Sequence, residues 1–164
     1  MVWDPDGEKP SGSFVRVWTR EAVLGYKSSM FEQHALIRLF VYGTLMPGYP
    51  PHDQYCQGAT VRGPAWVYGR LFQLPEGYPG LVLSDYTEAA ESSFVHGFLL
   101  ELPEECLEGL DDYEEVRPDG TGPYLRCITT VYGPAGGDYA WTYCLRREPA
   151  EGQIPSGIWP VSCE

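Results

Sequence analysis

Eight carboxylates crowd the segment 101–115: Glu101, Glu104, Glu105, Glu108, Asp111, Asp112, Glu114 and Glu115. Most of them read as the solvated acidic face of a short helix. Glu114 differs, because it follows Tyr113 where that helix should run out and precedes a Gly/Pro loop. A carboxylate there can turn inward beneath a sheet, and enclosure by aromatic side chains would raise its pKa toward the range useful for moving protons. The second chemically suggestive stretch is Leu39-Phe40-Val41-Tyr42-Gly43-Thr44-Leu45-Met46-Pro47-Gly48. Its apolar run reads as a buried strand that stops at Gly43. Gly43 lets main-chain amides approach a ligand closely, and Thr44 adds a hydroxyl. A strand that ends in successive N–H groups can hold a carboxylate or a developing oxyanion. The plain alternative is an ordinary strand followed by a turn.

Other chemistries lack their residues. There is no G-x-S-x-G elbow, no H-E-x-x-H, no G-x-x-x-x-G-K and no complete G-x-G-x-x-G. Of the three histidines, His34 precedes the first strong strand, His52 lies in a Pro-rich loop and His96 alternates with apolar residues. Each reads as structural. The Asp-Asp-Tyr-Glu-Glu run is a poor metal site, since hard cations usually need more oxygen ligands than it can converge. No metal and no organic cofactor is expected.

The elements that must carry these residues are mostly strands. Residues 65–74 read as a strand with Gly69 as a bulge or barrel corner. Turn signals at 75–80 lead to a short strand, 81–83. Residues 94–102 form the next, with Phe94, His96, Phe98, Leu100 and Leu102 on one face. Pro103 opens a short helix with Glu104 and Glu105 in its first turn, where the helix dipole favours anions. Residues 124–132 and 139–145 form a hairpin around Gly133–Gly137. Residues 49–58 read as a polar loop, and the chain from Arg146 onward as a Pro/Gly-rich tail. Residues 1–35 form an N-terminal extension, partly disordered or packed on the core, and 36–164 one domain. The expected fold is α+β: a small mixed β-barrel of five to six strands with one or two short flanking helices.

Composition sets the outer limits. The chain has 164 residues, enough for one domain with a sizeable core, and a net charge of −12. Its only lysines are Lys9 and Lys27, so nucleic acid is not an expected partner. No apolar run approaches the roughly 20 residues that span a bilayer, and the first residues lack the pattern of a secretory signal. Five cysteines without a C-x-x-C pair suit reduced, mostly buried thiols in a cytoplasmic protein. Oligomeric state is not legible.

Taken together, Val41-Tyr42-Gly43-Thr44-Leu45-Met46-Pro47-Gly48, Leu110-Asp111-Asp112-Tyr113-Glu114 and Tyr124-Leu125-Arg126 resemble the gamma-glutamylcyclotransferase-like family. Tyr68-Gly69-Arg70-Leu71-Phe72 and His96-Gly97-Phe98-Leu99-Leu100 are similar to its paired barrel strands, and Gly157-Ile158-Trp159 to a Gly-x-Trp ending. The resemblance covers about residues 36–145 and extends into the tail. It implies a barrel with a cavity between the Tyr-Gly-Thr-Leu loop and a glutamate. It also implies that the α-amine of a γ-glutamyl compound attacks its own γ-carbonyl, releasing an amine or amino acid and 5-oxoproline. By the match, Glu114 is the general acid/base. Tyr42, Gly43, Thr44 and Leu45 would hold the glutamyl part, and Tyr124 would line the same cavity. The alternative is a non-catalytic module using the barrel to bind a small metabolite or a protein.

Overall fold

The apolar run Leu39–Tyr42 has no polar alternation because both of its faces are covered. In the computed structural model, which describes residues 35–84 and 93–160, strand β1 (Leu36–Val41) packs Phe40 toward one core cluster and Leu39 and Val41 toward a second. A strand buried on both sides loses the period-2 signature of a half-exposed one.

The remaining elements are α1 (Pro50–Tyr55), β2 (Thr60–Gln73), β3 (Pro79–Leu83), β4 (Ser93–Pro103), α2 (Cys106–Tyr113), β5 (Tyr124–Gly133), β6 (Gly136–Leu145) and β7 (Gln153–Ile154). Strands β2, β4, β1, β6 and β5 pair in that order, and β2 pairs with β5 at Trp66 and Tyr132, which closes a five-stranded barrel. Only the β1–β6 contact, at Leu39 and Trp141, is parallel, so the barrel is mixed. Strands β3 and β7 lie outside the closure, both on the far end of β2. The α+β barrel with few short helices is thus borne out, with two added strands.

Two cores follow from the pleat. Inward residues of every barrel strand, among them Phe40, Val67, Val95, Val131 and Ala140, fill the interior. Outward residues Leu39, Val41, Leu100, Leu102 and Tyr143 meet Leu110 of α2. Strand β4 shows the division along its length. Phe94 and His96 are exposed, whereas Leu100 and Leu102 on the same face are fully buried. The face expected from the sequence exists, and α2 covers only half of it.

Several local expectations need correction. The polar loop 49–58 contains α1, whose Pro residues sit in the first turn, where an absent N–H costs nothing. The β2 irregularity lies between Val61 and Gly63, not at Gly69, which pairs in register with Leu83 and Ser93. The tail also joins the fold up to residue 160: β7 pairs with β2, and Trp159 stacks against Tyr49 with ring centroids 5.4 Å apart and donates to Gln73 Oε1 at 3.2 Å. Cys127 and Cys144, inside the barrel on β5 and β6, are joined as a disulfide, so the reading of wholly reduced thiols does not hold. Cys56 and Cys106 are free. The N-terminal extension falls outside the described residues. Among the described residues, no helix is long and apolar enough to cross a membrane.

Candidate active site

A cavity of about 400 Å³ opens where β1 ends, between the 43–45 loop and the end of α2. Its walls include Tyr42, Gly43, Thr44, Leu45, Tyr113, Glu114 and Tyr124, so all six residues singled out in the sequence meet in one place.

The 43–45 loop is a turn closed by the Met46 N–H donating to the Gly43 carbonyl at 2.9 Å. That bond leaves the Thr44 and Leu45 amides outside it. A Cβ on Gly43 would sit 2.7 Å from Pro79 Cγ, so only glycine lets the loop lie against the β3 wall. Leu45 is buried in the second core, which leaves its main chain as what it can offer the cavity. The loop is also held from behind, with His52 Nδ1 2.9 Å from the Leu45 carbonyl. Across the cavity, Thr44 Oγ1 and the Tyr113 hydroxyl share a hydrogen bond of 2.8 Å, tying the loop to the last residue of α2.

Glu114 owes its place to how α2 stops. It caps the helix; the Glu115 N–H donates to the Asp112 carbonyl at 3.2 Å, and the Val116 N–H donates to the Asp111 carbonyl at 2.9 Å. This pair of bonds is a Schellman ending, which requires a left-handed residue just past the cap. Glu115 takes that conformation, with φ of 53°, although it is not glycine. Gly122 completes the arrangement, because any Cβ there would overlap the Glu115 carbonyl. The sharp reversal turns Glu114 inward and Glu115 outward, where Glu115 meets Arg117 at 3.4 Å.

Burial alone raises the Glu114 carboxyl from 4.5 to about 7, and no hydrogen-bond donor among the described residues reaches it. Its charge in turn helps raise Tyr42, Tyr113, Tyr124 and Tyr143, each shifted first by its own burial. The four phenols therefore stay protonated at neutral pH and serve as walls and donors. The Tyr42 hydroxyl donates to the Tyr143 carbonyl at 2.8 Å, and that of Tyr124 to the Pro79 carbonyl at 3.1 Å.

The sequence reading missed part of this site. Glu76 and Tyr78, from the turn before β3, and Pro79, its first residue, line the cavity, yet their Gly/Pro setting marks only a turn. It also missed the buried support under α2. Arg126 contacts Asp111 Oδ2 at 3.0 Å and lies 4.8 Å over the Trp141 ring, while the Tyr143 hydroxyl donates to Asp111 Oδ1 at 2.9 Å. Charge-assisted bonds of this kind fix the helix that carries Glu114. The Leu-Asp and Tyr-x-Arg motifs contain both partners, but nothing in their spacing says that they pair. Among the described residues, no three His, Cys, Asp or Glu side chains are grouped so as to hold a metal ion.

A small closed barrel with an acid facing a strand-end loop defines a class, and comparison with known proteins gives the class its name. Residues 39–161 match the family model described as "Gamma-glutamyl cyclotransferase, AIG2-like", and the chain belongs to that family. It is 31% identical over 133 residues to the gamma-L-glutamyl-butirosin B gamma-glutamyl cyclotransferase of Niallia circulans, covering 80% of this chain and 78% of that one. It also resembles the crystal structure of YkqA from Bacillus subtilis, with a TM-score of 0.60 at 25% identity over 76% of this chain and only 40% of that one. An AIG2-like protein from Mus musculus shares the fold, with a TM-score of 0.57 at 23% identity over 71% of this chain and 82% of that one. The protein is thus an enzyme of the gamma-glutamylcyclotransferase type.

Proposed function

We propose that the protein cyclises the γ-glutamyl part of γ-glutamyl amines or amino acids to 5-oxoproline, with Glu114 as the general acid/base. The observation that carries this reading is a desolvated carboxyl, raised to about 7, sharing a cavity with the Gly43–Leu45 main chain. The nucleophile is part of the substrate. Holding its α-amine against its γ-carbonyl turns the attack into ring closure, with the large effective molarity such geometry gives.

In the first step the α-ammonium gives a proton to Glu114, and the freed amine nitrogen bonds to the γ-carbon. The carbonyl oxygen takes up the electron pair, and an amide N–H of the 43–45 loop is the donor assigned to it. The ring nitrogen then loses its second proton, the C–N bond to the leaving amine breaks, and Glu114 returns its proton to that nitrogen. One proton passes to water, from which the released amine takes one up. A carboxyl near 7 suits both directions of transfer, and such catalysis contributes roughly 10²–10⁴-fold. The other amides of the loop are assigned to the substrate α-carboxylate, with Tyr42 and Tyr124 as the walls beside it.

The Niallia circulans relative, named as a cyclotransferase of a γ-glutamyl compound, supports this chemistry. The test is detection of 5-oxoproline by mass spectrometry across γ-glutamyl amides. A stoichiometric complex with no product from any of them would favour the binding-module alternative.

A further inference from the structure

The outer half of the cavity has its own chemistry. Among the described residues its walls contain no Lys, Arg or His, but they contain Glu76, Glu114 and Glu115. These carboxylates are not equivalent. Glu114 is assigned to proton transfer, and Glu115 is already opposed by Arg117. Glu76 has no ion-pair or hydrogen-bond partner among the described residues. It sits in the exposed turn between β2 and β3, and its charge reaches the hydroxyl of Tyr124, helping to raise it after burial and Glu114. Tyr78, 53% exposed, stands beside it on the same turn. The mouth of the pocket therefore joins one unopposed carboxylate to the aromatic side chains of Tyr78 and Tyr124, a pairing that attracts ammonium groups.

Resting on the cyclotransferase reading, we propose that the leaving group is a di- or polyamine, whose second ammonium is held at the mouth by Glu76 and the Tyr78 ring. A substrate of this class presents one carboxylate, on its glutamyl end, and the 43–45 amides are the donors assigned to it. An amino acid leaving group would bring a second carboxylate to a wall that has no cation among the described residues. The overall charge of −12 adds to the selection by drawing cationic substrates toward the protein.

Three compounds with the same reacting end separate the cases: the mono-γ-glutamyl derivatives of 1,4-diaminobutane, of n-butylamine and of 4-aminobutyrate. The proposal expects kcat/KM for 5-oxoproline formation to fall in that order. The diamine should lead the alkylamine by on the order of tenfold, the effect of one partly screened charge pair. The lead should come through KM and shrink as salt is raised to about 0.5 M. Glu76→Gln lies in an exposed turn, where it does not threaten folding, and should narrow the diamine/butylamine ratio. Equal rates on all three compounds, or a better rate on the 4-aminobutyrate derivative, would overturn the proposal and leave the cyclotransferase reading standing. So would a diamine/butylamine ratio unchanged by Glu76→Gln. Absence of 5-oxoproline from every compound would overturn both.

Discussion

Replacing Glu114 by Gln should remove activity and stabilise the fold, and the stabilisation should depend on pH. The folded carboxyl titrates at about 7 in place of 4.5 because burial disfavours its charge. Between those values the native state keeps a proton that the unfolded chain has lost, so stability falls as pH rises through the window. At about 1.4 kcal/mol per pH unit, burying Glu114 costs the fold about 1 kcal/mol at pH ~5, where the native state must keep its proton, and about 3 kcal/mol at pH ~8, where the buried carboxyl is charged. Gln has the same shape and no charge to bury. Urea unfolding of the two proteins should therefore give a stability difference that grows by about 2 kcal/mol between those pH values, every other titrating group being common to both. At the upper pH the variant should melt roughly 6–12 °C higher for a chain of this size. Turnover should drop by about 10²–10⁴-fold. A stability difference that stays constant with pH would refute the enclosed carboxyl, whatever the kinetics showed.

Three further outcomes follow from the same geometry. In the native enzyme, kcat/KM should rise about tenfold per pH unit up to about 7 and then level off, because Glu114 must be ionised to accept the first proton; a flat profile between about pH 5 and pH 8 would contradict that role. Asp111→Asn leaves the buried Arg126 without its counter-charge and should cost about 3–5 kcal/mol in urea unfolding; a loss under about 1 kcal/mol would show that the pair does not anchor α2. Gly43→Ala places a methyl against Pro79 and should push the donor loop off the β3 wall, lowering kcat/KM by about 10²-fold while the melting temperature moves little; unchanged kinetics would show that the loop position is not critical.

The barrel was legible because its strands carry local signals: apolar runs, β-branched and aromatic residues, and Gly/Pro breaks between them. Glu114 and the Tyr42–Leu45 loop were legible because each lies where an element ends. What escaped depends on partners remote in sequence. Strand β7 is two residues of a Pro/Gly tail, and only the free edge of β2 makes it a strand. Helix α1 has six residues opening on two prolines, too short for any periodicity to register. Cys127 and Cys144 face each other only once β5 and β6 pair and both side chains turn into the barrel. The Glu76–Tyr78 turn reads as punctuation until the fold sets it opposite Tyr124.

The adjacent glutamates at the end of α2 show how a backbone turn assigns roles that composition cannot. Glu114 and Glu115 have the same side chain and are adjacent in sequence. The Schellman ending needs one residue in left-handed geometry just past the cap, and Glu115 occupies that place without being glycine, at roughly 1 kcal/mol of backbone strain. The reversal separates the two side chains, leaving one desolvated against Tyr42 and Tyr124 and the other beside Arg117 in solvent. Proton transfer near neutrality needs the first environment, since an exposed carboxylate stays ionised and cannot hand its proton back. Moving the acid by one position would put the helix end and the carboxyl on opposite sides of the same turn. The Leu-Asp-x-Tyr-Glu spacing is therefore physical: Leu110 anchors the helix in the core, Asp111 ties it to Arg126, Tyr113 joins it to the donor loop, and the next residue is the carboxyl that burial desolvates at the cavity.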